Sequence, residues 1–332
     1  MVDLSFLSTK TFKGIFSDKG RSWLDYKYYW YRLQFIYSAK YHKVTSFPTH
    51  IDIESTNNCN FRCVMCPINE YKGDWGFIKW DLFTKIVDEG ATKGLKSIKF
   101  NWRGEPLLHP KIVEMVKYAK DKGIIEVMFN TNAQLLKPEL AEKLIDAGLD
   151  RIIFSVDGST KENYEKVRRG GKYEIVEENI QHLAKLRNEK GLKKPYTRIQ
   201  MVEMKENLPD VPRFIEKWTN VIDQVCVNPW INVQMKENVN RSTGRQIIVK
   251  GRKPCGQLWQ RLTIAYDGTV MMCCGDWFKK TIVGHLDKQN LSEIWNSDYL
   301  NKVRDQHKKN QIDQVAACKD CTVLDSYELE LK

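Results

Sequence analysis

The feature that most restricts the fold of this 332-residue chain is a regular alternation of apolar runs and amphipathic stretches between residues 50 and 230. Ile51, Ile53 and their neighbours read as a first strand, followed by a helix near 80–92. Strands at 96–101, 125–130, 151–156, 197–204 and 222–228 then alternate with helices at 110–122, 137–147, 172–190 and 210–219. Strands separated by helices of about 10 to 15 residues build parallel β/α units. Six such units are too few to close an eight-stranded barrel, so the expected architecture is α/β, an open partial (β/α)6 barrel over 50–230.

The flanks differ in character. Residues 1–49 are aromatic-rich, and Trp23, Trp30 and Phe35 with Leu24 and Leu33 fit a helix packed on the body of the protein. The Lys and Arg among them leave a membrane-surface helix as the alternative. Residues 231–254 are polar and contain Gly, which reads as a connector. Residues 255–332 form a second domain: two short β runs around Asp267-Gly268, a helical stretch near 291–308, and a Cys pair at 318 and 321. The charged tail to Lys332 is expected to be peripheral.

No apolar run approaches the roughly 20 residues that a membrane span needs. The first residues, MVDLSFLSTKTFKG, lack the apolar h-region of a secretory signal, so a cytoplasmic protein is expected. The net charge of +11 is spread through segments such as 161–194 and mixed with Glu. That pattern is a solvated surface with a slight preference for anionic partners, and no nucleic-acid partner is expected. Nine cysteines are too many for structural thiols alone in a reducing compartment, where clustered Cys bind metal or do chemistry. Seven of them fall into two spaced groups.

Cys59, Cys63 and Cys66 have the spacing CxxxCxxC directly after the first strand. Three thiolates on a tight loop can ligate three irons of a cubane cluster and leave the fourth iron without a protein ligand. That open iron can chelate the amino and carboxylate groups of S-adenosylmethionine. An electron from the cluster then cleaves the sulfonium bond to give a 5′-deoxyadenosyl radical. A zinc site is the competing reading, but zinc pairs such spacings with a second C-x2-C or with His, and no nearby residue offers an obvious fourth ligand.

Here the chain resembles the radical S-adenosylmethionine (radical SAM) superfamily, over roughly residues 50–230. Cys59-Asn60-Phe61-Arg62-Cys63-Val64-Met65-Cys66-Pro67 is similar to a frequent form of that family's cluster loop. Arg103-Gly104-Glu105-Pro106 stands where the family has Gly-Gly-Glu-Pro against the methionine amino group, with Arg103 replacing the first Gly. Asn130-Thr131-Asn132-Ala133 resembles Thr-Asn-Gly, with Ala for Gly. Ser155-Val156-Asp157-Gly158 resembles the segment whose Ser contacts the cofactor. Val167-Arg168-Arg169-Gly170-Gly171 resembles the segment whose Arg holds the cofactor carboxylate, and Arg169 is favoured over Arg168. The resemblance therefore implies a cofactor shell of Arg103, Gly104, Glu105, Asn132, Ser155, Asp157 and Arg169. Asp157 or Asn132 could instead cap a following helix, and Glu105 could simply neutralise Arg103.

The second group, Cys255, Cys273, Cys318 and Cys321, resembles the C-terminal SPASM extension, and more closely its shortened twitch form with one auxiliary cluster. Cys273 is chosen over Cys274 on the Gly-x4-Cys spacing, since adjacent strand residues point to opposite faces. A four-cysteine zinc site is the alternative. The resemblance implies two [4Fe–4S] clusters, S-adenosylmethionine, and a flavodoxin or ferredoxin as reductant. A fully ligated second cluster suits electron transfer, so the expected reaction is two-electron oxidation of a small, hydroxylated, sugar- or cyclitol-like substrate, anionic or neutral. Arg168, Arg169 or Arg103 could bind such an anion. Twitch relatives include an aminocyclitol dehydrogenase. A redox-neutral epimerase using Cys226 or Cys274 as hydrogen donor, and a peptide maturase, are the alternatives. Glu203 and Asp223 are candidate general bases by position, and Cys226 could equally be a small buried apolar residue.

Overall fold

The computed structural model describes residues 25–230, 247–250, 252–319, 321 and 328–331. Helix α1 (Tyr26–Tyr41) precedes six strands that lie side by side in chain order. They are β1 (His50–Ile53), β2 (Ser97–Lys99), β3 (Glu126–Thr131), β4 (Arg151–Ser155), β5 (Tyr196–Glu203) and β6 (Gln224–Pro229). Every neighbouring pair is parallel. The crossovers carry α2 (Trp80–Lys93), α3 (Ile112–Asp121), α4 (Pro138–Asp146), the short α5 (Lys161–Val167) with α6 (Tyr173–Glu189), and α7 (Val211–Trp218). All the expected strands and helices of this region are present, within about two residues at each end.

Strand periodicity explains the layering. Ile51, Ile53, Ile98, Val127, Phe129, Ile152, Phe154, Ile199 and Met201 are buried in one core with the apolar faces of the helices, such as Phe83, Met115, Leu144 and Ile180. Each such side chain stabilises the fold by about 1.5–3 kcal/mol on burial. The alternate positions face the barrel interior, and many are polar or charged: Asp52, Lys99, Glu126, Arg151, Ser155, Arg198 and Gln200.

Helix α1 closes the N-terminal end of this interior, and of the face read from sequence Phe35 is buried while Trp30 is not. Tyr28, Tyr31 and Phe35 are buried, whereas Trp30 is 69% exposed. The burial follows polar chemistry at the barrel floor. Tyr31 Oη donates to Glu126 at 3.3 Å, Arg151 donates to Tyr28 Oη at 3.4 Å, and Phe35 packs edge-on against His50. Trp23 and Leu24 lie outside the described residues.

The C-terminal segment is not a separate layer. After β7 (Ile247–Lys250), β8 (Arg261–Ile264) lies parallel against the free edge of β1. The antiparallel β9 (Thr269–Met271) and β10 (Ile282–His285) extend the same sheet. The result is one nine-stranded open sheet, in the order β10-β9-β8-β1-β2-β3-β4-β5-β6. Gly268, at φ 86°, makes the tight β8–β9 turn. Helices α8 (Leu291–Trp295), opened by an Asn290/Glu293 capping box, and α9 (Asp298–Lys308) follow. The presumed connector contains β7, which pairs antiparallel with β11 (Glu328–Leu331) from the presumed peripheral tail. Residues 231–246 and 251 of the connector lie outside the described residues. Among the described residues, no helix is long and apolar enough to cross a membrane.

Candidate active site

The loop that leaves β1 is pinned to the other strand-end loops by backbone hydrogen bonds. Arg62 N donates to Arg169 O at 2.8 Å and Val64 N to Val167 O at 3.0 Å, so the loop borders the end of α5. Glu105 N donates to Asn58 O at 2.7 Å. Gly104, at φ 74°, makes that approach possible, since a Cβ there would lie 2.2 Å from Thr56 O. The loop turns on itself through Cys66 N to Cys63 O (3.1 Å), and Asn69 Nδ2 donates to both Cys63 O and Cys66 O.

This brings Cys59, Cys63 and Cys66 within electrostatic reach of one another. All three are free thiols. Burial pushes Cys59 up to about 12 and Cys63 up to about 11, and raises Cys66 as well. Thiols in such surroundings become thiolates at neutral pH only against a bound cation, which is what an iron cluster provides. The donor set fits a three-cysteine cluster.

Around it, Glu105 is buried and ties two loops together. It accepts hydrogen bonds from Leu107 N (3.1 Å), Thr131 Oγ1 (2.7 Å) and Asn132 N (2.8 Å). Burial nevertheless lifts its carboxyl to about 7. Asn132 donates through Nδ2 to Asn60 Oδ1 at 2.8 Å, which fixes the cluster loop to the end of β3. Ala133, in the place of a glycine, adopts φ 63°, the left-handed conformation a glycine would take without strain. Ser155 is half-buried at the end of β4, within 3.4 Å of Gln200 Nε2. Asp157 Oδ1 accepts from Val202 N at 2.7 Å, and Oδ2 pairs with Arg168 at 2.6 Å.

Three expected roles change. Arg103 is buried away from the loop surface. It makes a two-point ion pair with Glu54 (2.6 and 3.0 Å) and lies beneath the rings of Trp102, Tyr71 and Trp277. Of the tandem arginines, Arg169 is exposed, while Arg168 is buried within electrostatic reach of Cys63, Cys66 and Glu105. The helical register at the end of α5 turns Arg168 inward, which spacing could not decide. Asp223 precedes β6 at the N-terminal end of the sheet, opposite the cysteine loop. There it is ion-paired with Arg187 and accepts from Thr197 N at 2.8 Å. Glu203, half-buried at the C-terminal end of β5, stays on the site's side. Cys226 is buried on the interior face of β6 and hydrogen-bonds with Arg198.

The second cysteine group also converges. Cys273 lies within electrostatic reach of Cys255, Cys318 and Cys321, and burial raises both Cys273 and Cys318. Cys274 turns the other way, towards Asp52, Arg261 and Lys99 in the barrel interior. Trp102 Nε1 donates to Cys274 O at 3.0 Å, joining this loop to the end of β2. The residues present thus fit a four-thiolate cluster on one side of the sheet's edge and a thiol facing inward on the other.

Residues 53–216 match the model of the radical SAM superfamily, and residues 255–322 match the SPASM iron–sulfur cluster-binding domain. The chain belongs to the radical SAM superfamily, and within it to the SPASM/twitch branch. Its cofactors are [4Fe–4S] clusters and S-adenosylmethionine.

Among curated relatives, it is 34% identical over 173 residues to the tungsten-containing aldehyde ferredoxin oxidoreductase cofactor-modifying protein of Pyrococcus furiosus, covering 50% of this chain and 48% of the relative. It is 35% identical over 127 residues to a probable GTP 3′,8-cyclase of Methanococcus maripaludis, covering 38% and 42%. The chain thus spans about half or less of the length of these relatives. Among solved structures, BtrN in complex with AdoMet and 2-DOIA superposes with a TM-score of 0.56 at 18% identity, covering 84% of this chain and 94% of that one. Streptococcus suis SuiB bound to its precursor peptide SuiA gives 0.63 at 14%, covering 83% and 71%. At these identities the likeness is one of fold.

Sequence reasoning missed Glu54, Asn60, Lys99 and Arg261. The signal available for Glu54, Lys99 and Arg261 was a charged residue at a position alternating with the apolar ones in or next to a short strand.

Proposed function

We propose that this radical SAM enzyme oxidises a small hydroxylated substrate held in the barrel interior by two electrons. The observation that carries this reading is the pair Cys273 and Cys274: the first joins the four-cysteine group while its neighbour faces the barrel interior. An electron acceptor held by the four cysteines would therefore border the space where a substrate radical forms. A cluster held by Cys59, Cys63 and Cys66 would, with S-adenosylmethionine, supply radical abstraction of a hydrogen atom from a substrate carbon. Oxidation of an alcohol then requires loss of one proton and one electron.

The chain's own residues prepare that reaction. Cys59, Cys63 and Cys66 would hold the first cluster, and Cys255, Cys273, Cys318 and Cys321 the second. Gly104, Glu105, Asn132, Ser155, Asp157 and Arg168 shape the cofactor's surroundings. Asp157 orients Arg168, and Glu105 locks two strand-end loops in register. Glu203, at the C-terminal end of β5, is the carboxylate assigned to accept the proton. A flavodoxin or ferredoxin is the electron source in this proposal.

Anaerobically reconstituted protein, incubated with deuterated candidate alcohols, tests the reading. One deuterated 5′-deoxyadenosine per oxidised product is expected. Turnover with an unchanged oxidation state, or with S-adenosylmethionine regenerated, sinks it. A redox-neutral epimerase is the second reading, favoured by the interior position of Cys226. In that case Cys226→Ala abolishes product while deoxyadenosine continues to form.

A further inference from the structure

Lys99 is the side chain of the barrel interior that neither cysteine site explains. In the strand register Thr263 of β8 lies opposite Asp52 of β1, and Asp52 opposite Lys99 of β2, so the three share one interior layer. Arg261 belongs to the same face two residues before Thr263. Lys99 forms no ion pair within 4.0 Å among the described residues. The carboxylate nearest to it, Asp52, is already occupied by His50 and Arg261, each at 3.3 Å.

The charges around Lys99 do not balance. Asp52 and Cys274 lie within electrostatic reach of Lys99, and so do Arg261 and Arg198. Burial and the pressure of these two guanidiniums lower the Lys99 ammonium below its ordinary range. Among these groups that act on Lys99, Asp52 is thus the one carboxylate, against two guanidiniums. Donors are also left over in the layer. Arg261 Nε and Thr263 Oγ1 are buried without a hydrogen-bond partner, and Thr263 is fully buried. Buried donors without acceptors each cost about 1–3 kcal/mol, a cost that a ligand acceptor removes.

We propose that Lys99, Arg261 and Thr263 form an anion-receiving site in the barrel interior, which takes a carboxylate or phosphate group of the substrate. The two anions share the needed chemistry, an oxygen cluster that accepts from an ammonium, a guanidinium N–H and a hydroxyl at once. The site rests on the reading of the barrel interior as the substrate chamber. It names the substrate class as a hydroxylated anion. Of the anion binders expected from sequence, Arg103 and Arg168 are held by Glu54 and Asp157, and Arg169 is exposed. The binding role passes to side chains of β2 and β8.

Calorimetric titration of the cluster-reconstituted, S-adenosylmethionine-loaded protein tests the site. Glycerol 3-phosphate, glycerate and glycerol supply a phosphate, a carboxylate and a neutral control on one carbon frame. At least one anion should bind while glycerol does not, and the better anion tells phosphate from carboxylate. Lys99→Gln should weaken that anion about tenfold or more, the loss of one charge-assisted hydrogen bond, and Lys99→Arg should retain it within about threefold. Iron content reports whether each variant has folded. If Lys99→Gln has lost its iron, Thr263→Val decides instead: a weakened anion upholds the site, and an unchanged one overturns it. Anions that bind no better than glycerol, or equal affinity in wild type and folded Lys99→Gln, also overturn it. Deoxyadenosine and oxidised product are measured separately. Lys99-dependent binding without oxidation upholds the site against the proposed reaction, and oxidation of glycerol without any anion preference does the reverse.

Discussion

Arg103 shows how a side chain that departs from a family motif can be absorbed into the fold. Its guanidinium meets Glu54 in a two-point pair with both side chains almost wholly buried, and three aromatic rings cover its faces. Removing one partner of such a pair leaves an uncompensated buried charge, at a cost of about 3–5 kcal/mol. Arg103→Ala should therefore lower the urea midpoint strongly, and Arg103→Lys should recover only part of it, because an ammonium cannot make the planar two-point contact. Glu105 gives a pH signature. Its folded carboxyl titrates near 7, against an ordinary 4.5. Between those values the folded chain holds a proton that the unfolded chain has released, so this group's contribution falls as pH rises from about 4.5 to about 7 and is level above. Glu105→Gln should remove that slope from thermal midpoints measured across the interval. It should also lower them overall, because its amide presents hydrogens to one of the donors that Glu105 accepts.

At the scale of the element, α1 is decided by the barrel beneath it. Its sequence carries aromatics on every side, so periodicity alone could not select a buried face. The floor of the barrel selected it. Glu126 and Arg151 offer hydrogen bonds that tyrosines satisfy and tryptophan does not, and Tyr28, Tyr31 and Phe35 stack edge-on in succession. Tyr31→Ala should therefore cost about 3 kcal/mol or more in denaturation experiments. Trp30→Ala, on the exposed side, should stay within about 0.5 kcal/mol of the parent. The tandem arginines after α5 teach the same lesson. Neighbouring residues differ completely in burial once the helix end sets their direction.

At the scale of the molecule, the nine-stranded sheet makes the two cysteine groups parts of one structure, because β8 completes the free edge of β1. Cys273→Ala should reduce iron from about eight to about four atoms per chain, whereas Cys274→Ala should leave the iron count unchanged. Equal iron loss in both would reverse the assignment of the two faces. Much of this was legible in the chain itself. Six β/α units, the CxxxCxxC loop and the spaced later cysteines are local patterns, set by hydrogen-bond periodicity and by the reach of a few residues. The sequence by itself therefore determined the fold class, the order of elements and the positions where thiols can gather. Only the tertiary structure decided which neighbour of a pair turns inward, that Asp223 lies at the far end of the sheet, and that Arg103 is spent on Glu54. It also decided that Lys99, Arg261 and Thr263 share a layer. Those outcomes depend on strand register and on which buried charges find partners, and both are set by contacts between segments far apart in the chain.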